Sequence, residues 1–120
     1  MHELSIGSAI VDTAVRHAAG RQVTRVTVRI GRLRQVVPAS LTFCFGLVAR
    51  DTLCDGAALE LEVVPARLRC EECAHGWEID VPAFRCPLCG SAEVGVVTGE
   101  ELEVESIEVE ELEEACIAPR

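Results

Sequence analysis

The chain of 120 residues contains no lysine and no tyrosine, and only 3% of its residues are aromatic. Its 11 basic and 20 acidic side chains give a formal net charge of −9. Phosphate backbones repel such a protein, and stacking on bases requires aromatic side chains, so general nucleic-acid binding is disfavoured. No apolar run approaches the roughly 20 residues that span a bilayer. A chain of this length buries one modest core, with at most a small satellite.

The N-terminal segment also lacks the features of a secretory signal. It has no basic start followed by a continuous apolar stretch, and Glu3, Asp12 and Arg16 give it a polar face. We therefore expect a cytoplasmic protein, in which thiols stay reduced. Its seven cysteines then need an explanation other than disulfides.

The acidic charge is concentrated near the C-terminus, where residues 100–120 carry nine acidic side chains and one arginine. Within this segment Leu102 and Val104 alternate with glutamates, which is typical of a strand and not of a disordered tail. The alternation changes phase at Ser106, so a β-bulge or strong twist is expected there. We expect Arg25 and Arg29 of an earlier strand to face glutamates of its two neighbours.

Periodicity predicts four further elements. Apolar residues recur at helical spacing over residues 4–18, and Gly20 ends that helix. Residues 26–30 and 57–63 alternate as strands, and Pro38 begins a second helix over residues 38–50. The predicted fold class is α+β, with two helices packed on a three-stranded sheet and an inserted four-cysteine domain that resembles a zinc ribbon.

Three segments follow from this pattern. Residues 1–65 together with 100–112 form an α/β domain, residues 66–99 form a small metal-binding domain, and residues 113–120 form a frayed C-terminal tail. The middle segment holds four cysteines, the only tryptophan and two of the five prolines. It has too few apolar residues to fold alone, so we expect a metal to supply much of its folding free energy.

The strongest local signal is a pair of CxxC motifs, separated by twelve residues. They consist of Cys70, Cys73, Cys86 and Cys89. Two such turns place four thiolates at the corners of a tetrahedron, which favours structural Zn(II). A redox CxxC, an iron–sulfur site and a disulfide pair are the competing interpretations, and their usual motifs differ from this one.

Several other side chains also bear on the properties of this motif. His75, two residues after Cys73, is a surface residue, a competing metal ligand or a partner in the second coordination shell. Arg69 and Arg85 precede ligands and are placed to offset the negative charge of a four-thiolate site. Cys44 and Cys54 are predicted to be core or loop thiols, and Cys116 lies in the tail.

The N-terminus itself offers a second set of ligands. The α-amino group of Met1, the amides of His2 and Glu3, and the His2 imidazole are close enough in the chain to close chelate rings around one ion. Planar nitrogen ligands suit Ni(II) or Cu(II), and amides must lose protons to bind, so affinity should fall with pH.

The chain resembles the HypA/HybF family of hydrogenase nickel-insertion proteins over essentially its whole length. The resemblance is carried by the N-terminal MHE, the helix LSIGSAIVDTAVRHA, the segments GRLRQVVPASLTFCF and GEELEVESIEVE, and the two CxxC turns, of which the second is CPLCGS. Each CxxC turn is called a knuckle below. It implies that His2 is the essential nickel ligand, with Met1 and Glu3 beside it, and that the four cysteines hold structural zinc. Relatives often carry a second histidine near the first knuckle, where this chain has only His75.

The resemblance also implies partners: the GTPase HypB and the precursor of the hydrogenase large subunit, with urease as a further recipient. No catalytic nucleophile or acid/base pair is evident, so no enzymatic activity is predicted, and His17 is expected to be dispensable. Two other classes stay open: a zinc-ribbon module associated with nucleic acid, and an adaptor whose zinc domain docks a partner. Both a monomer and a homodimer remain compatible with the sequence, including one formed by exchange of the last strand.

Overall fold

The computed structural model describes residues 2–111, so Met1, the predicted tail and Cys116 lie outside the described residues. The elements are α1 (His2–Ala18), β1 (Val23–Gly31), α2 (Pro38–Val48), β2 (Ala58–Val64), β3 (Ala66–Cys70), β4 (Gly76–Ile79), β5 (Val94–Thr98) and β6 (Leu102–Val109), with a 3-10 turn at Arg32–Arg34. Two helices and a three-stranded sheet, joined to a four-cysteine segment, confirm the predicted fold class. Within residues 2–111, neither helix has the length and apolarity needed to cross a bilayer.

The larger sheet has the strand order β2-β1-β6, with β1 parallel to β2 and antiparallel to β6. The central strand β1 turns Val26, Val28 and Ile30 inward, and all three are buried in the core. Helix α1 adds the buried side chains of Ile10 and Ala14 to the same core, because these positions recur at helical spacing.

The outer face of this sheet carries the predicted charge pairs. Arg29 lies 3.1 Å from Glu103 of β6 and 4.0 Å from Glu62 of β2. Arg25 pairs with Glu60 and lies 3.6 Å from Glu108. These side chains are all partly exposed, so each pair contributes only about 0.2–1 kcal/mol. Glu103 and Glu108 of the acidic C-terminal segment thus lie on one face of a strand beside arginines.

The predicted irregularity of β6 is also present. Thr27 pairs with Ser106 and Val28 with Val104, so Glu105 is the extra residue of a β-bulge. The bulge keeps apolar side chains on the inner face on both sides of it. The last strand therefore changes phase without exposing its apolar positions.

Helix α2 is apolar on nearly all sides. Its buried positions include Leu41 and Phe45, whereas Phe43 and Leu47 are exposed. Pro38 occupies the first helical position, where no N–H is needed. The helix ends at Val48, two residues before the predicted end.

Residues 66–99 contain a second three-stranded sheet, of order β4-β3-β5, that the sequence pattern did not predict. Its central strand β3 is antiparallel to both neighbours and buries Ala66, Leu68 and Cys70. These strands have only four or five residues each. Alternation over such short lengths is easily hidden by adjacent metal-ligand and turn residues.

The two sheets meet at a glycine contact. An added Cβ at Gly31 would lie 1.9 Å from the carbonyl oxygen of Gly99, and Gly99 itself has a φ of +121°. Nearby, the N–H of Gly31 donates to Glu101 O at 2.7 Å, and the N–H of Leu33 donates to Gly99 O at 2.8 Å. The chain therefore enters the smaller sheet at Pro65 and leaves it at Gly99 through one tightly packed junction.

Replacing Gly31 with alanine is expected to lower the free energy of unfolding by about 3 kcal/mol, because backbone must move to admit the methyl group. Urea denaturation measures this change. The matched control is Gly46→Ala in α2, where an added Cβ has no neighbour within 4 Å; it should leave stability unchanged or raise it by about 0.5–1 kcal/mol. Equal stability of Gly31→Ala and wild type would contradict the tight junction.

Candidate metal centres

The structure brings the four predicted zinc ligands together in the smaller sheet. One ligand atom from each of Cys70, Cys73, Cys86 and Cys89 lies within 4.8 Å of all the others. Two Sγ···Sγ distances, Cys70 to Cys89 and Cys73 to Cys86, are 3.6 Å. A tetrahedron with metal–sulfur bonds of about 2.3 Å has edges of about 3.8 Å. The sulfur positions therefore fit a single tetrahedral ion, whereas a disulfide would require a separation of about 2.05 Å.

The two knuckles share the same backbone conformation. In the first, the N–H groups of Glu72 and Cys73 lie 3.4 Å from the sulfur of Cys70. The residue after the second cysteine adopts a left-handed conformation in each knuckle, Ala74 with φ +66° and Gly90 with φ +76°. Glycine adopts this conformation without steric cost, whereas alanine rarely does. This conformation turns the chain so that the flanking amides point back at sulfur.

Backbone donors also shift the acidity of the thiols. The N–H groups of Cys73 and Glu72 lower the pKa of Cys70, against the opposing effect of burial. Burial likewise opposes ionisation of Cys86, yet the N–H groups of Cys89 and Leu88 and the neighbouring thiols lower its pKa to about 7. Backbone donors therefore favour the thiolate form of Cys70 and Cys86, which is the form in which cysteine is a metal ligand.

The Cys89 thiol responds in the opposite direction. The N–H of Ser91 favours its ionisation, but hydrogen bonding to Cys70, burial and the other two thiols raise its pKa to about 12. The N–H of His75 favours ionisation of Cys73, but burial and hydrogen bonding to Cys86 and Cys70 raise the pKa of that thiol as well. A metal must therefore displace protons from both Cys73 and Cys89. Occupancy of the cluster should accordingly weaken as the pH falls.

Two side chains around the cluster make contacts that the sequence did not predict. Arg85 donates to the carbonyl oxygen of Gly90 at 2.7 Å and so braces the second knuckle. His75 stacks on Trp77, with ring centroids 5.5 Å apart and an angle of 12° between the planes. Its carbonyl oxygen accepts a hydrogen bond from the N–H of Cys70. Among the described residues, the clustered ligand atoms are those of the four cysteines alone.

The second candidate centre lies at the start of α1. His2 is the first described residue of this helix, and its side chain is 57% exposed. Its Nε2 atom lies 3.7 Å from the carboxylate of Glu3. That carboxylate accepts a hydrogen bond of 3.3 Å from the N–H of Val37, just before α2. Glu3 thus links the beginnings of the two helices beside the exposed imidazole.

The electrostatics of Glu3 follow from this contact. The N–H of Val37, followed by the N–H of Glu3 itself, lowers the pKa of the carboxyl group. A lowered pKa means that Glu3 is ionised at neutral pH and that the contact is lost only as the pH falls through that pKa. The negative charge also lies at the positive end of the α1 dipole, where it is favoured.

The third histidine lies away from this centre. His17 is fifteen residues further along α1, about 22 Å from His2 along the helix axis. The separation between its Nδ1 and the carbonyl oxygen of Thr13 is 2.9 Å. This placement agrees with its predicted surface position. The contact between Glu3 and Val37 was not predicted, since no local pattern relates residues 34 positions apart.

Comparison with known proteins gives a consistent set of similarities. A family model described as "Hydrogenase/urease nickel incorporation, metallochaperone, hypA" matches residues 1–109. The hydrogenase maturation factor HypA of Desulfosudis oleivorans is 42% identical over 115 residues, which cover 92% of this chain and all of the relative. That of Geobacter metallireducens is 44% identical over 110 residues, with 92% and 100% covered.

A solved structure shares the fold. The solution structure of the Ni metallochaperone HypA from Helicobacter pylori has a TM-score of 0.65 to this chain. The match covers 89% of this chain and 96% of the other, at 24% sequence identity. At that identity the likeness concerns the fold alone.

Proposed function

Because the chain belongs to the HypA family of hydrogenase and urease nickel-incorporation metallochaperones, we propose that it carries Ni(II) on its first three residues. It delivers this ion to the large subunit of nickel–iron hydrogenase during maturation, and urease is a further recipient. The proposed ligands are drawn from the His2 imidazole, the amide nitrogens of His2 and Glu3, and the α-amino group of Met1. In one plane the His2 amide can have only two of the other three nitrogens beside it, so a further ligand completes the site.

The observation that carries this proposal is the position of the His2 ring. Its Nε2 atom lies toward the Glu3 carboxylate. A proton on Nε2 is stabilised there, which leaves the lone pair of Nδ1 for a metal. Nδ1 is also the ring nitrogen that closes a six-membered chelate ring with the amide nitrogen of His2. Glu3 therefore supports the site by selecting the tautomer that binds.

The helical conformation of α1 determines how its first residues must change when they bind nickel. The first N–H groups of a helix have no acceptor within it, so the amides of His2 and Glu3 can be used without breaking α1. When two successive backbone nitrogens bind one ion in a planar site, the N–Cα–C–N torsion between them, ψ, must be near zero. In an α-helix ψ is about −42°. Loading thus unwinds the first residues of α1 by about 40° per torsion and leaves the later turns intact.

The position of the site at the N-terminal end of α1 also favours release of Ni(II). A cation at the N-terminal end of a helix is disfavoured by the helix dipole, by about 0.3–1 kcal/mol. Two ionised amides cancel the charge of Ni(II), and protonation of either weakens the site. A nickel ion held by an exposed terminus is thus open to a recipient that offers thiolates.

The four-cysteine cluster has a separate role in this account. Cys70, Cys73, Cys86 and Cys89 would hold one structural Zn(II), which supplies folding free energy to the smaller sheet and leaves no open coordination position. His75 would act on it only from the second shell. The domain boundaries follow: residues 1–65 with 100–112 carry nickel, and residues 66–99 carry zinc.

Partners and location complete the proposal. The GTPase HypB supplies the nickel, and the precursor of the hydrogenase large subunit receives it, in the cytoplasm and without nucleic acid or membrane. Next to His2, the side chains of Leu4 and Val37 are 37% and 54% exposed, which gives an approaching partner an apolar contact. The chain acts in this scheme as a carrier, either as a monomer or as a homodimer, and not as an enzyme.

Blocking the α-amino group tests the terminal chelate directly. A short N-terminal extension before Met1 is expected to weaken Ni(II) binding by at least about tenfold, because one nitrogen ligand is lost. Calorimetric titration of the zinc-loaded protein measures the change. An equal extension at the C-terminus is the matched control. Unchanged affinity in the N-terminally extended protein would exclude the amine as a ligand.

A further inference from the structure

Helix α2 presents an exposed ridge on the side that faces away from the core. The members of this ridge recur at spacings of three and four, so they share one side of the helix. They are Ala39, Phe43, Gly46 and Leu47, and all four are exposed. Phe43 is 67% exposed, against 2% for Phe45 on the inner side of the same helix. We call these four residues the α2 ridge.

The α2 ridge belongs to the longest stretch of the chain without a charged side chain. Residues 35–49 contain neither an acidic nor a basic residue, in a chain whose net charge is −9. The glutamates that pair with Arg25 and Arg29 lie on the outer face of the larger sheet, whereas α2 packs on the core at its inner face. Two copies of so acidic a chain repel each other, and a contact between them is least opposed where neither surface is charged.

We propose that the α2 ridge is the contact of a weak homodimer, in which a second copy of this chain packs on it antiparallel. The ridge is complementary to itself, because an added Cβ at Gly46 has no neighbour within 4 Å and Phe43 protrudes one turn away. Around a two-fold axis centred between residues 44 and 45, Phe43 of each copy lies over Gly46 of the other. Each ring thus fills the gap that the opposing glycine leaves, as close packing requires.

The charges at the two ends of α2 favour the antiparallel arrangement. Arg50, just after the helix, then lies opposite Ala39 of the other copy, near the Glu3 carboxylate that accepts the N–H of Val37. The next residue, Asp51, carries the opposite charge and lies near the positive end of the opposing helix dipole. In a parallel arrangement the Arg50 side chains of the two copies would meet instead. The antiparallel contact therefore adds attraction at both ends.

The size of the α2 ridge determines the strength of the contact. The 11 residues of α2 extend about 16 Å. A contact of one short helix with another buries less than the roughly 800 Å² per partner that is typical of stable complexes. We therefore expect a dissociation constant on the order of 100 µM, with the dimer populated at high local concentration.

Sedimentation equilibrium of the zinc-loaded full chain, from about 10 µM to about 1 mM, measures this association. Phe43→Ser should raise the dissociation constant at least about tenfold, because the dimer then loses the burial of two aromatic rings. Gly46→Leu should raise it by a similar factor, since the added side chain occupies the space of the opposing ring. The matched control is Val81→Ser, which removes a side chain of nearly equal exposure, 64%, beyond β4; its dissociation constant should stay within about twofold of wild type.

The Gly46→Leu variant separates a specific fit from general apolar association, because it makes the ridge more apolar. Stronger association of this variant would contradict the proposed packing of Phe43 on Gly46. A chain that stays monomeric at every concentration would overturn the proposal, and equal weakening by Val81→Ser would place the contact elsewhere. His2→Ala should dimerise like wild type, so the dimer and the proposed nickel site can fail independently.

Discussion

Replacing His2 with alanine is expected to lower the affinity for Ni(II) by more than about 100-fold while leaving the fold and the zinc content unchanged. Loss of a residue that only supports a metal ligand typically costs 10–100-fold, and His2 is proposed as a ligand itself. Its side chain is exposed at the end of α1 and adds nothing to the core. Calorimetric titration of zinc-loaded protein, with circular dichroism as the folding check, measures both parts of this prediction.

The matched control is His17→Ala, on the same helix. Its ring lies about 22 Å away along the axis, with Nδ1 2.9 Å from the carbonyl oxygen of Thr13 on the same helix. This variant should bind one equivalent of Ni(II) with the affinity of wild type. If His2→Ala also binds one equivalent equally well, the nickel is held elsewhere and the proposed carrier site is wrong.

Replacing Cys86 with serine is expected to remove the bound zinc and unfold the smaller sheet. Cys86 is only 2% exposed, and its sulfur lies 3.6 Å from that of Cys73, so a serine hydroxyl there can neither ionise at neutral pH nor complete the tetrahedron. Binding of structural zinc supplies about 10–16 kcal/mol in small zinc domains. The strands of this sheet have too small a core to compensate for its loss.

Elemental analysis and tryptophan fluorescence measure this effect. The only tryptophan, Trp77, lies in β4, so its emission reports the smaller sheet alone. The larger sheet has its own core and should retain its circular dichroism signal. The control Cys44→Ser changes a half-buried thiol of α2 outside the cluster and should keep one zinc per chain. Retention of one zinc by Cys86→Ser would contradict four-thiolate ligation.

The elements that carry the larger sheet were predictable because they are long enough to show a period. Strand β1 alternates over nine residues and α1 repeats over seventeen. The bulge of β6 was also predictable, because the apolar alternation changes phase at Ser106 and such a change has few other causes. The glutamate partners of Arg25 and Arg29 were predictable because the strands on either side of β1 carry the opposite charge.

The smaller sheet could not be predicted in the same way. Strand β4 has four residues, and β3 ends on the ligand Cys70, so turn and metal-binding residues interrupt any period. The cysteine spacing nevertheless predicted which sulfurs meet, because a tetrahedral ion requires that local geometry. Spacing does not encode the glycine contact of Gly31 with Gly99, which arises from two distant segments.

For the N-terminal centre, the sequence predicts candidate ligands but not the contacts that surround them. The chelate possibilities of Met1, His2 and Glu3 follow from covalent distance alone. The hydrogen bond from the N–H of Val37 to Glu3 depends on how α1 and α2 pack, and no pairwise pattern in the sequence specifies it. That contact holds the Glu3 carboxylate beside the His2 ring, 3.7 Å from its Nε2 atom.

Nickel and zinc are proposed to occupy different donor sets, nitrogen at the N-terminus and sulfur in the smaller sheet. X-ray absorption at the nickel edge, on zinc-loaded protein carrying one equivalent of Ni(II), tests this separation most directly. We expect the spectrum of planar nickel with nitrogen or oxygen ligands only, including an imidazole contribution that disappears in His2→Ala. A sulfur ligand on nickel would contradict it, because it would place the ion among the cysteines.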